Sequence, residues 1–148
     1  MSMADEDVAR LERLLAWRRG EEDVVRQRET SAVRAVESAR ERLNALRSQL
    51  RACRECRGAN AAGCVELIDA HHCAAHLGER AAEQERSLEE ARRHLEQVRR
   101  ELAEAGRRRL AVERMATARS LRLRDHERAV AQADLDESGR LRLLLEGD

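Results

Sequence analysis

Apolar side chains recur at alternating steps of three and four from Val8 through Leu11, Leu15, Val25, Val36, Leu43, Leu46 and Leu50 to Cys53, and the register never breaks. Such spacing puts a narrow apolar stripe on one helical face and predicts a coiled-coil helix with a left-handed supercoil. A second unbroken register runs from Leu67 through Ala74, Leu77, Leu88, Leu95, Val98, Leu102 and Val112 to Leu123 and Val130. Between the two lies Gly58-Ala59-Asn60-Ala61-Ala62-Gly63, which combines two glycines with an asparagine and has turn chemistry because these residues tolerate positive φ.

The pattern therefore predicts an all-α fold: one long antiparallel two-helix coiled-coil hairpin forming a single domain over residues 1–148. Helix 1 is expected over about 4–57, the turn over about 58–64, and a longer helix 2 over about 65–145. Folding the chain at the turn sets Leu50 against the Ala70 to Ala74 turn and Val8 near Val112. At about 1.5 Å per residue the paired part spans roughly 75 Å, and helix 2 is expected to run on without a partner beyond about residue 116.

Both seams carry charge where apolar residues are expected: Arg18, Glu22 and Glu29 early in helix 1, and Arg109, Arg119 and His126 late in helix 2. Long side chains at such positions snorkel to water at little cost. The functional alternative is an end left open for a partner to complete.

Composition agrees with an extended helical protein. Charged residues make up 39% of the 148, with no proline, no phenylalanine, no tyrosine and one tryptophan, so the large side chains that fill a thick core are missing. All 29 basic residues are arginine and 29 acidic residues are interspersed among them, which gives a net charge of zero and no concentrated cationic face for nucleic acid. The acidic start, Met1 to Asp7, has no secretory leader pattern and no stretch has the apolar length of a membrane span, so a cytosolic protein is expected.

No phosphate-binding loop, nucleophile elbow or HExxH motif occurs, and a two-helix architecture offers no water-excluding pocket, so no enzymatic activity is expected. One cluster bears possible metal chemistry. Cys53-x-x-Cys56 closes helix 1 and Cys73-x-x-His76 lies near the start of helix 2, with Cys64, His71 and His72 close by. Residues three apart share a helical face, so the two pairs can meet across the hairpin as a tetrahedral zinc site; Cys53, Cys56, His72 and His76 fit equally loosely. Against this stands the plain reading of cysteine as a small seam residue, with no cofactor at all. Trp17 falls two residues after Leu15, off the seam, where it either packs partially or anchors a partner.

The stretch Leu11-Glu12-Arg13-Leu14-Leu15-Ala16-Trp17-Arg18-Arg19-Gly20-Glu21-Glu22, a Leu-Leu pair followed by basic residues and an acidic pair, resembles the opening of the FliJ and YscO family. These are small coiled-coil stalk proteins of the export ATPases of flagella and injectisomes. Residues Val112 to Ala118, then Arg128 and Gln132 to Leu135-Asp136-Glu137, are similar to its closing pattern. The missing aromatics near the tip and the cysteine cluster depart from it. The resemblance implies a non-enzymatic stalk like the central subunit of rotary ATPases, with its terminal end inside a hexameric ATPase ring and its tip toward the export gate. It assigns Leu14, Trp17, Arg18, Arg119, Asp136 and Glu137 to the ring, and Leu46, Leu50, Ile68, Ala74 and Leu77 to the gate. Export chaperones are further implied partners, and a place at the cytoplasmic face of the inner membrane follows from the apparatus.

Two other readings compete with it. One is an adaptor whose tip is shaped by zinc. The other is a generic scaffold that dimerises into a four-helix bundle through flanking apolar residues such as Leu14, Val24 and Val33.

Overall fold

The computed structural model describes residues 3–59 and 63–145, with side chains over 6–55, 63 and 65–142. Helix α1 spans Met3–Ala59 and helix α2 spans Cys64–Leu145, and apart from Gly63 every described residue is helical. The two helices pack against each other and α2, at 82 residues, is longer than α1, at 57. The fold class is thus the expected all-α antiparallel hairpin.

Local chemistry favours these long helices. No proline interrupts them, and Glu89–Arg93, Glu96–Arg100 and Glu104–Arg108 pair at i, i+4 with the acid on the N-terminal side, the favourable orientation relative to the helix dipole. At α2's start the amide of Leu67 donates to the Gly63 carbonyl at 3.2 Å, and Glu66 lies in the first turn, where a carboxylate meets the positive end of the dipole. No described residue, glycine included, has positive φ. Gly58 lies within α1, which runs to Ala59, and the remaining residues of the expected turn up to Ala62 lie outside the described residues.

The chain forms two compact units, one made of Val24–Ala103 and the other of Met1–Asp23 with Glu104–Asp148. In the Val24–Ala103 unit the seam is well packed. Ala39, Leu43, Leu46, Ala81 and Leu88 form its buried cluster, with Val36 and Leu77 packed against it. Val98 is fully enclosed. Alternating alanine with leucine lets the backbones approach, which fills the seam without aromatic side chains. Paired charges flank it: Arg28 donates to Glu101 at 2.8 Å, Arg99 to Glu29 at 3.1 Å and Arg47 to Glu85 at 2.7 Å. Pairs this exposed contribute about 0–1 kcal/mol each and act mainly on register and direction.

The unit of Met1–Asp23 and Glu104–Asp148 has a thinner apolar seam. Val112 and Ala116 are buried, and Val8, Leu11, Leu15 and Leu123 are half-buried. Helix pairing extends further than residue 116: Arg119 donates to Asp7 at 2.9 Å and Leu123 is still partly covered. Alignment from the turn midpoint understates this reach because α1 begins at Met3 and the arginine side chain is long. From Arg124 to Arg142 every residue is exposed, although α2 stays helical to Leu145.

Candidate partner-binding surfaces

In the unit that holds both described chain ends, charge occupies the seam itself. Glu22 is only 8% exposed. Arg109 reaches it from α2, donating from Nε to Glu22 Oε2 at 2.6 Å and from Nη1 to Glu113 Oε2 at 2.6 Å, and Arg19 Nη2 stands 3.6 Å from Glu113 Oε1. The hydrogen bond to Glu22, with the charges of Glu22 and Glu113 added and partial burial opposing, raises the Arg109 pKa above its ordinary value. The heptad register marks Glu22 and Arg109 as charged positions within the seam. It does not identify Glu113 or Arg19 as their partners, although Glu113 stands one turn beyond Arg109 at an i, i+4 spacing that signals a pair.

The residues assigned to an ATPase are placed in three groups. Trp17 is 56% exposed, and the guanidinium of half-buried Arg18 stacks on its ring with the central carbon 4.5 Å from the ring centroid. Arg18 Nη1 donates to Glu21 Oε2 at 2.7 Å, while its buried Nε has no hydrogen-bond partner. Leu14, half-buried, lies one turn before Trp17 on the same face. Arg119 is held by Asp7. Asp136 and Glu137 lie in the exposed run, where Gln132 donates to Asp136 Oδ1 at 2.8 Å. Val130, Leu135 and Leu141 are exposed apolar residues of that same run.

Of the residues assigned to the gate, Leu46 is buried in the seam, and Leu50, Ala74 and Leu77 are half-buried. Ile68 is 55% exposed, next to Leu67 and to Val65, which is 72% exposed. The exposed apolar surface at the start of α2 is therefore Val65, Leu67 and Ile68. Heptad spacing puts Leu67 on the seam, yet it is exposed, and Val65 carries no sequence signal beyond its apolar type.

Around the cysteines, half-buried Cys53 directs Sγ to the Ala70 carbonyl at 3.8 Å. Cys73 and His76 are exposed, as are His71 and His72, whose rings lie 6.2 Å apart edge to face. The side chains of Cys56 and Cys64 lie outside the described residues. Among the described residues no three His, Cys, Asp or Glu side chains come together as a metal-binding group, and no helix is long and apolar enough to cross a membrane.

No curated protein and no solved structure matches the chain. A family model described as Flagellar FliJ protein matches residues 7–145, which takes in both helices nearly whole. The chain therefore belongs to the flagellar FliJ protein family, a family of export-related coiled-coil proteins.

Proposed function

We propose that this chain is a non-enzymatic stalk of a flagellar or injectisome export apparatus. The unit holding its described ends enters a hexameric export ATPase, and the start of α2 faces the export gate. The observation that carries this reading is the run from Arg124 to Arg142. It remains helical with its whole surface exposed, Val130, Leu135 and Leu141 included, and α1 does not cover it. A helical run that packs against nothing is held by intrinsic propensity alone, so surroundings supplied from outside the chain would add the packing that stabilises it. An ATPase ring provides such surroundings, and two helices inside a six-fold ring meet its subunits unequally, which biases the subunits that close on nucleotide.

Under the same reading Trp17, Arg18, Arg119, Asp136 and Glu137 meet the ATPase. Ile68, with Val65 and Leu67, meets the gate, while Leu46, Leu50, Ala74 and Leu77 shape that end from within the seam. The zinc-tipped adaptor remains the second reading, resting on the Cys53-x-x-Cys56 and Cys73-x-x-His76 spacings; the side chain of Cys56 lies outside the described residues.

Co-purification with the export ATPase encoded in the same genome tests the proposal. Intact chain is expected to bind and to change the rate of hydrolysis, and a chain ending at Leu123 is expected to stay folded and lose binding. Equal binding by both chains contradicts it.

A further inference from the structure

The start of α1 has little apolar grip on α2 in the unit made of Met1–Asp23 and Glu104–Asp148. No apolar side chain of residues 6–21 is buried; Val8, Leu11, Leu14 and Leu15 are half-buried, and the one buried residue from 6 to 22 is Glu22. Between Val24 and Leu46, by contrast, Ala32, Ala39, Leu43 and Leu46 are all buried. Charge supplies much of what ties the start of α1 to α2: Asp7 to Arg119 at 2.9 Å, Arg19 to Glu113 at 3.6 Å and Glu22 to Arg109 at 2.6 Å. The first two of these pairs are solvated, so water and salt screen them.

A weak point in both helices stands beside the buried pair. Gly20 precedes Glu22 by two residues and Gly106 precedes Arg109 by three. Both are helical without positive φ, and a Cβ at either meets nothing within 4 Å, so neither turn geometry nor close packing calls for glycine there. Their effect is to loosen the helix, because glycine gains the most backbone freedom when a helix opens. On α1 the unit ends at Asp23, three residues on from Gly20.

From these observations we infer that residues 6–22 form a releasable strap. It hinges at Gly20, closes over Val112, Ala116 and Leu123 on α2, and detaches as one segment while the pairing within Val24–Ala103 holds. Release bares an α2 stripe that runs on in the same heptad register through Val130 and Ala133, which are exposed already. Few apolar contacts break when the strap leaves, which puts this unit at the low end of the range of local stabilities along the chain. The strap is a property of the free chain and stands or falls independently of the stalk reading.

Ala116 and Ala81 are matched probes: both are α2 seam alanines, each 8% exposed, one under the strap and one in the apolar seam of Val24–Ala103. In full-length protein, Ala116→Cys should react with a thiol reagent about thirtyfold or more faster than Ala81→Cys, with each rate referred to that of the unfolded chain and read by peptide mass spectrometry. Raising salt from about 0.05 M to about 0.5 M should speed Ala116→Cys about threefold and leave Ala81→Cys unchanged. Gly20→Ala should slow Ala116→Cys about threefold, again without effect at Ala81→Cys. Equal rates at the two positions, or an Ala116→Cys rate that ignores salt or Gly20→Ala, overturns the strap. Should a cysteine variant not fold, hydrogen exchange of the unaltered protein decides. Amides from Val8 to Glu22 should share one degree of protection that salt lowers; protection that instead rises steadily inward from Val8, or that matches the amides around Leu43, overturns it.

Discussion

Arg109 on α2 donates from Nε to Oε2 of Glu22 on α1 at 2.6 Å, which sets an ion pair into the seam where the heptad pattern calls for two apolar residues. Glu113 accepts from Nη1 of the same guanidinium, so Arg109 is held from both sides. A pair buried to this degree adds little net stability, because both groups leave water, yet it discriminates strongly against any register that parts them. The apolar seam around it is thin, so the ion pair acts chiefly on alignment.

That balance predicts an asymmetric mutational response. Arg109→Leu should lower the melting temperature, since buried Glu22 loses a charge-assisted hydrogen bond from α2. Adding Glu22→Leu should restore or exceed the original value, as two leucines pack without a desolvation cost. Thermal melting of the two single variants and the double variant closes the cycle. Destabilisation of the double variant by the sum of the single effects would contradict this account.

The two sets of apolar residues near the turn should also part in behaviour. Leu43 belongs to the buried cluster, and Leu43→Ala should cost about 2–5 kcal/mol. Ile68 is exposed, so Ile68→Ala should stay within about 0.5 kcal/mol of the original. Denaturant unfolding measures both, and a large loss at Ile68 would show that it packs within the hairpin instead of facing a partner.

Sequence pattern alone reaches the architecture because the heptad stripe has one solution. Each α1 seam position from Val8 to Cys53 is buried or half-buried, and along α2 the same holds from Ala70 to Leu123. Pattern is weaker on which surface faces outward. The resemblance assigns Leu46 and Leu77 to the gate, and the structure packs Leu46 in the seam with Leu77 against it, where the size of an apolar side chain favours burial. Trp17 and Arg18 are legible as adjacent off-seam and seam-breaking residues. Their stacking and the unsatisfied Nε depend on rotamers, which spacing does not encode.

Glycines inside the helices give a test of intrinsic propensity. Gly20 and Gly106 lie within α1 and α2, and a methyl group added at either meets nothing within 4 Å. Gly20→Ala and Gly106→Ala should each stabilise the protein by about 0.5–1 kcal/mol. Denaturant midpoints read the change, and destabilisation at either position would reveal a neighbour or a conformation that the helical geometry does not contain.

Zinc is expected to leave the melting curve unchanged at equimolar concentration, since Cys53 faces the Ala70 carbonyl and Cys73 and His76 are open to solvent. Thiolate ligation would raise thermal stability strongly. A rise in melting temperature that disappears when Cys53 and Cys56 are both changed to serine would establish the metal reading instead.

Hydrogen exchange along α2, in the free protein and with the export ATPase bound, tests the stalk account most directly. Amides of residues 124–142 should exchange rapidly in the free chain, far faster than those around Val98, and should become protected when the ATPase is added, because the ring covers a seam that α1 leaves open. Strong protection of residues 124–142 in the free protein, or rapid exchange that persists in the complex, would contradict it.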